Sequence, residues 1–337
     1  MMKTITLAHG SGGRAMQQLI SSLFIEAFSN PWLAEQEDAA RLSLAELTAS
    51  GDRLAFSTDS YVIDPLFFPG GNIGKLAICG TANDIAVSGA RPRWLSCGFI
   101  LEEGLSLEML ETIVRSMAQT AQEAGIDIVT GDTKVVPRGA ADKIFINTAG
   151  IGAIPHQVCW GTNQIDKGDV IIVSGTLGDH GATILNLREQ LGLEGELASD
   201  CAVLTPLIQT LLPIPGVKAL RDATRGGVNA VLHEFAASSG YGMDIIEAQL
   251  PVKPVVRGVC ELLGLDPLNF ANEGKLVIIT RRESASAVME ALHQHPLGCD
   301  AALIGEVTER KGVRITGLYS VKRTLDLPHA EPLPRIC

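Results

Sequence analysis

The alternation of strand-like and helix-like segments is the feature that most constrains the fold of this chain. In the first half, short β-branched or apolar stretches such as RLAFST (53–58) and IDIVTG (126–131) alternate with segments of helical period such as 107–125. The pattern breaks near 155–168, and a second such unit begins with VIIVSG (170–175). The predicted strands and helices do not follow a strict strand–helix–strand repeat, which indicates two α+β domains rather than one doubly wound sheet. We predict domains at 1–155 and 156–325, followed by a flexible tail at 326–337.

The amino-acid composition disfavours some classes of binding partner and indicates the cellular compartment. A net charge of -11 argues against a nucleic-acid or anionic-membrane surface as the main partner. No run of about 20 apolar residues predicts a membrane span, and the N-terminus lacks the apolar region of a signal peptide. The seven cysteines include no CxxC pair and no short cluster with histidine, so a structural zinc site is not expected. These features together predict a reduced, cytoplasmic protein.

The C-terminal tail, HAEPLPRIC, is unusual for a chain of this size. Pro328, Pro332 and Pro334 fall within the last ten residues and disfavour helix and central strand. The tail is therefore expected to be semi-extended, at roughly 3 Å per residue. Cys337 then ends a stiff arm. On the tail alone, two interpretations stay open: a frayed terminus that happens to end in cysteine, and an arm that presents a reactive thiol.

Two glycine-rich segments are candidates for phosphate-binding loops. PGGNIGKL (69–76) fails as a Walker loop, because Pro69 replaces the first glycine and Leu76 replaces the Ser/Thr. GSGGRA (10–15) fits a dinucleotide fingerprint only weakly, since Glu26 is too near to be the usual ribose-binding acid. As a turn whose amides meet phosphate oxygens, or as a plain loop entering a helix, the same segment is equally plausible.

Isolated acids stand at the ends of apolar strands, beside glycine or small residues, where binding sites are often built. Bases are interleaved with them along the chain. Hard divalent cations prefer carboxylate oxygens, and basic side chains suit phosphate, so the combination predicts a nucleoside triphosphate site. The acids are Asp59, Asp84, Asp132, Asp222 and Glu273, and the bases are Lys75, Lys134 and Arg225.

Five segments, in this order, resemble the ATP-binding superfamily of aminoimidazole ribonucleotide synthetase, selenophosphate synthetase and thiamine monophosphate kinase. They are STDSYV, GGNIGKLAICGTANDIAVSGARPRWLS, GDTKVV, DATRGG and NEGK. The resemblance covers about residues 9–320. Within the superfamily, HGSGG near the N-terminus and the ending PRIC are similar to the carbamoyl dehydratases of hydrogenase maturation. The N-terminal Lys/Cys or selenocysteine chemistry of a selenophosphate synthetase is missing.

The resemblance implies a PurM-like fold of two α+β domains, in which N-terminal strands of two chains form a barrel across a homodimer. It also implies ATP and Mg²⁺ as cofactors. Three carboxylates are then the metal ligands: Asp59, Asp84 and Asp132. The remaining nucleotide-binding residues implied are Gly10, Ser11, Gly12, Gly13, Asn72, Lys75, Thr81 and Asn83.

The same resemblance gives the tail a role. In that branch the terminal cysteine, here Cys337, accepts a carbamoyl group from HypF. ATP-dependent dehydration then leaves a thiocyanate, and the cyanide passes to iron held by HypC–HypD. Glu273 is the candidate base, and Lys134 assists the deprotonation or neutralises the developing charge. Two alternatives stay open: a kinase or ligase for a free metabolite, and a non-catalytic thiol carrier or scaffold.

Overall fold

The computed structural model describes residues 4–193, 197–317, 319–329 and 333–337. Its strands are β1 (Arg53–Tyr61), β2 (Phe67–Phe68), β3 (Gly71–Asn72), β4 (Arg91–Glu102), β5 (Asp127–Val136), β6 (Ile144–Ile154), β7 (Val170–Val173), β8 (Val217–Asp222), β9 (Gly242–Ile246), β10 (Leu276–Thr280), β11 (Ala302–Thr308), β12 (Gly312–Thr316) and β13 (Lys322–Thr324). Its α-helices are α1 (Arg14–Leu19), α2 (Pro31–Ala34), α3 (Leu44–Thr48), α4 (Ile73–Ala86), α5 (Leu107–Ala124), α6 (Asp179–Glu189), α7 (Thr205–Leu211), α8 (Gly227–Ser239), α9 (Pro254–Leu263) and α10 (Ala285–His293).

The strands form two main sheets, one in each half of the chain. The first has the order β1-β6-β4-β5, so β1 and β5 are its two edges. The second has the order β13-β12-β9-β11-β7-β10-β8. Among the strands of the described residues, most neighbours are antiparallel, and only the β4–β5 and β9–β12 pairs are parallel. This mixture confirms the α+β class over a doubly wound sheet.

Helix α4 lies between the two halves and positions the site. Its apolar and small residues face all directions, which is typical of a helix buried on every side. It packs on β1 and β6 of the first sheet, on α5, and on β8 and α7 of the second half. The Asn72 side chain caps its first turn by accepting hydrogen bonds from the amides of Gly74 and Lys75, at 2.8 and 3.1 Å.

Helix α5 illustrates how local sequence sets an element's limits. Ser106 caps its first turn by accepting a hydrogen bond from the amide of Met109 at 3.4 Å. Gly125 ends the helix with φ of 67°, a left-handed conformation that glycine adopts without strain. Its apolar stripe, which includes Leu110, Ile113 and Met117, is buried against α4. In the described parts of the chain, no helix is both long enough and apolar enough to cross a bilayer.

The last described segment, 333–337, packs against the body of the molecule. Leu333 and Ile336 are 4% and 1% exposed and belong to the same apolar core as α4 and α6. Cys337 is half-buried. Pro332 lies outside the described residues. The flexibility expected of the tail at 326–337 stays a prediction.

Candidate active site

Four acids from four separate segments meet in one small pocket of about 130 Å³. Asp59 lies on β1, Asp84 on α4, Asp222 at the end of β8, and Glu273 just before β10. Both halves of the chain therefore supply carboxylates to one site. The remaining residues that line the pocket are Thr58, Gly80, Thr224, Arg225 and Cys337.

The pocket accumulates negative charge in a desolvated place, which raises the pKa of Asp84, Asp222 and Glu273. Burial raises the pKa of Asp84, and Asp59 raises it further, against the hydrogen bond that Ser57 donates at 2.7 Å. Burial, followed by the charge of Asp84, raises the pKa of Asp222 to about 7. Such acids are costly to ionise together unless a cation joins them.

Glu273 is the most buried acid of the pocket, with 3% of its surface exposed. Burial raises its pKa well above the ordinary value, and Cys201, Asp200 and Asp222 add to the increase. Within the described residues its Oε1 atom has no hydrogen-bond partner. Once ionised, a carboxylate with a raised pKa and a lone pair not engaged by the described residues is a strong base, suited to accept a proton.

The donor chemistry of this pocket suits a hard divalent cation. Asp59, Asp84 and Asp222 offer carboxylate oxygens, the ligands that Mg²⁺ prefers. In the described part of the chain, however, no three such side chains are arranged around one point as a ready metal site. A magnesium ion held here would complete its coordination with water and phosphate oxygens, as it does in many phosphoryl-transfer sites.

The third predicted metal ligand, Asp132, lies elsewhere. It is on edge strand β5, three strands from β1, and its register partners lead through Gly98 and Asn147 to Ser60. At strand spacing this is about 14 Å along the sheet from Ser60. Asp132 is exposed and forms an ion pair with Lys134 at 2.9 Å. A single chain therefore does not assemble the predicted set of three carboxylates, nor does it bring Lys134 to Glu273.

The glycine-rich loop lies on the same side as Asp132. A 3₁₀ turn at Leu7–Gly10 packs on β5, and a Cβ on Gly10 would lie 2.8 Å from the Cβ of Val135. Gly12 has φ of +78°, and a Cβ built there would have no neighbour within 4 Å, so the left-handed backbone and not a lack of space favours glycine. The predicted loop of Gly10, Ser11, Gly12 and Gly13 thus forms a second group with Asp132 and Lys134, apart from the acidic pocket.

The remaining predicted nucleotide ligands belong to α4 or its cap and are already engaged. Thr81 is fully buried and exchanges hydrogen bonds with Tyr61 and Thr148. Asn83 donates to the carbonyl of Ala202 and accepts from the amide of Leu204. Asn72 serves as the helix cap, and Lys75 donates to the carbonyl of Gly70 at 2.9 Å. Their predicted contact with a nucleotide stays a prediction.

The tail is held at the acidic pocket by hydrogen bonds that were not predicted from the sequence. The amide of Val62 donates to a terminal carboxylate oxygen of Cys337 at 3.0 Å, so the tail runs beside the segment that follows β1. His180 and Arg188 of α6 contact the carbonyls of the tail. Neither residue was identified from the sequence, because α6 was not predicted and nothing in GDHGA marks its histidine as a tail contact.

Both halves of the chain match domains of a known protein family. Residues 36–154 match the N-terminal domain of AIR synthase related proteins, and residues 166–317 match the C-terminal domain. The chain is 79% identical over 336 residues to a carbamoyl dehydratase HypE of Escherichia coli K12, covering 100% of both chains. It is also 49% identical to carbamoyl dehydratase HypE of Rhodobacter capsulatus, with 99% of this chain and 98% of the relative covered.

Solved structures agree with this similarity. A crystal structure of hydrogenase maturation protein HypE in complex with ATP is 47% identical, with a TM-score of 0.94 over 99% of this chain and 100% of that one. A HypE–HypF complex contains a chain 45% identical, with a TM-score of 0.80 over 92% of this chain and 99% of that one.

Proposed function

The chain belongs to the AIR synthase related family and, within it, to the HypE carbamoyl dehydratases of hydrogenase maturation, and on that premise we propose that it dehydrates an S-carbamoyl group on its own Cys337 to a thiocyanate at the expense of ATP. One observation carries the proposal: Cys337 lines the same pocket as Glu273, Asp59 and Asp84. The thiol to be loaded and the groups suited to proton and phosphoryl transfer therefore share one site.

The proposed reaction has two steps, phosphorylation of the carbamoyl oxygen and elimination of phosphate. The carbamoyl oxygen attacks the γ-phosphorus of ATP, the bond to the β-phosphate oxygen breaks, and ADP leaves. The C–O bond then breaks with departure of phosphate, and the nitrogen loses both protons as the C≡N bond forms. Phosphorylation is needed because an unactivated amide oxygen is a poor leaving group. A bound magnesium ion would supply charge neutralisation on the phosphates, held by Asp59 and Asp84.

Glu273 is the proposed proton acceptor. Its buried carboxyl group has a raised pKa and an Oε1 atom without a partner among the described residues. Each feature makes the ionised carboxylate a stronger acceptor for a proton from the carbamoyl nitrogen. Tethering the substrate to the chain also removes the entropy cost of collecting it from solution.

ATP enters the proposal from the ATP complex of the 47% identical HypE. The acidic pocket is smaller than the roughly 300–1,000 Å³ of typical ligand sites. With the tail docked, this pocket can accept only the phosphate end of a nucleotide. We therefore assign the γ-phosphate to the acidic pocket and leave the rest of the nucleotide outside it.

We further propose a homodimer. Leu54 and Phe56 on edge strand β1 are 59% and 69% exposed, an apolar strip that a second chain would cover. Lys134 and Asp132 do not reach the acidic pocket of their own chain, so their proposed roles depend on that second chain. HypF is the proposed carbamoyl donor, supported by the structure of a HypE–HypF complex. HypC–HypD is the proposed cyanide acceptor, on the resemblance of the PRIC ending alone.

Intact mass tests the proposal directly. After incubation with HypF, carbamoyl phosphate and ATP, the chain should gain about 43 Da and then lose about 18 Da, both at the C-terminal peptide. Cys337→Ala should show neither change, whereas Cys299→Ala, which removes an exposed cysteine, should behave as wild type. A gain without the later loss would identify a thiol carrier. A label on Cys79 or Cys97 would refute the role of the tail.

A further inference from the structure

We propose that Arg188 and His180 form a clamp that docks the C-terminal tail and positions Cys337 in the acidic pocket. This inference deepens the proposed function and rests on it for its catalytic meaning. The docking itself is a property of the chain and can be measured without any reaction. The evidence lies in how α6 contacts the tail.

Arg188 joins the tail to the segment after β1. Its Nε donates to the carbonyl of Asp64 at 2.7 Å, and its two terminal nitrogens donate to the carbonyls of Pro334 at 2.7 Å and Arg335 at 2.5 Å. Among the ion pairs of the described residues, none involves Arg188. The planar guanidinium is thus committed to three carbonyls, a geometry that lysine's single ammonium cannot reproduce.

His180 holds the next residue of the tail. Its Nε2 lies 2.8 Å from the carbonyl of Ile336, and its Nδ1 lies 2.7 Å from Oγ of Ser199. Because a carbonyl only accepts, Nε2 carries the proton and Nδ1 accepts from the Ser199 hydroxyl. The ring is fully buried and packs edge-on against Phe68. One imidazole tautomer is therefore fixed for tail binding.

The main chain of the tail completes the docking. The amide of Val62 donates to a terminal carboxylate oxygen of Cys337, and the amide of Asp64 donates to the carbonyl of Arg335, as a partner strand would. The hydrogen bonds that His180, Arg188 and the amides of Val62 and Asp64 donate to the tail all end on main-chain oxygens. These contacts do not involve the Cys337 sulfur. A loaded and an unloaded tail can therefore dock in the same register.

The clamp is a positioning device, so its test measures docking as well as turnover. In the absence of ATP and HypF, iodoacetamide should modify Cys337 more slowly when the tail is docked. The exposed Cys299 provides an internal reference in the same peptide map. Arg188→Ala removes charge-assisted hydrogen bonds and should raise the Cys337 rate relative to Cys299 by roughly tenfold.

Three further variants make the comparison specific. Arg188→Lys should restore part of the protection, and His180→Leu, which removes the donor, should raise the rate as Arg188→Ala does. Arg115→Ala should leave the rate unchanged, since Arg115 pairs with Glu111 on the exposed face of α5. The thermal midpoint of each variant reports whether it is folded. If His180→Leu does not fold, the comparison of Arg188→Ala with Arg188→Lys by itself tests the clamp.

The outcomes separate the clamp from the proposed function. A Cys337 rate in Arg188→Ala equal to that of wild type would overturn the clamp, whether or not the wild type dehydrates its tail. If the rate rises but wild type never loses 18 Da after carbamoylation, the clamp stands and the dehydratase proposal fails. If both hold, dehydration by Arg188→Ala should fall while its loading with carbamoyl persists.

Discussion

Replacing Glu273 by glutamine tests the most unusual electrostatic feature of the site. Glu273 is 3% exposed, and burial raises its pKa well above the ordinary value of 4.5. In the unfolded chain this acid ionises near its ordinary pKa, whereas in the folded chain it keeps its proton to higher pH. Raising the pH therefore favours the unfolded state of the wild type. Glutamine does not titrate and removes this dependence.

The magnitude follows from linkage. Between the unfolded and the folded pKa, the free energy of unfolding of wild type should fall by about 1.4 kcal/mol per pH unit relative to Glu273→Gln. Below the unfolded pKa, Glu273 is protonated in both states, and this pH-dependent difference in the free energy of unfolding disappears. For domains of this size, 1 kcal/mol corresponds to a shift of about 2–4 °C in the thermal midpoint. Glu273→Gln should thus become progressively more stable than wild type from pH 5 to pH 7.

The assay is thermal or urea unfolding across that pH range, in the presence of EDTA so that no divalent cation joins the acids. Glu261→Gln on the exposed face of α9 is the matched control and should show no such trend. A stability difference between Glu273→Gln and wild type that stays constant with pH would refute the reasoning. The same variant should bind ATP and accept carbamoyl at Cys337 but should not dehydrate it.

Three further predictions concern the cation, the dimer and the composite site. Asp84→Asn should lose most of the stabilisation by Mg-ATP in a thermal-shift assay, about 2.7 kcal/mol at a hundredfold excess over Kd, while Asp38→Asn keeps it; an unchanged shift would remove Asp84 from the site. Phe56→Asp places a charge on the exposed apolar strip of β1 and should yield monomers in light scattering, unless wild type is already monomeric, which would contradict the dimer. Lys134→Ala and Glu273→Gln should each be inactive alone, yet their mixture should regain about a quarter of the activity after subunit exchange, because some mixed dimers contain one intact site; no recovery would mean that both residues act in one chain.

Much of the fold was determined by local sequence. The helical period of 107–125 predicted α5, and the stretches at 53–58 and 126–131 predicted β1 and the start of β5. These features depend on residues within one or two turns of each other, so they can be identified without the fold. The segment 20–25 shows the limit, because it continues α1 in a π-helical form that periodicity did not predict. Helix α6 at residues 179–189 was also not predicted, because its sequence has no clear apolar stripe.

The membership of the site was decided by tertiary structure. Sequence marked Asp59, Asp84, Asp222 and Glu273 as acids near strand ends, but only the packing of the two halves around α4 brings them into one pocket. Asp132 has the same local character and lies apart, because strand order puts β5 at the opposite edge from β1. The order of strands depends on contacts between residues far apart in the chain, which no local pattern encodes.

The tail shows the same division. Its prolines and terminal cysteine are visible in the sequence, and they determined that the segment would be neither helix nor central strand. Its position was decided by Arg188 and His180, which lie about 150 residues earlier and contact only main-chain carbonyls. A contact to the main chain leaves no complementary side chain for sequence analysis to find. The sequence therefore determined what the tail could do chemically, and the fold decided where it would do it.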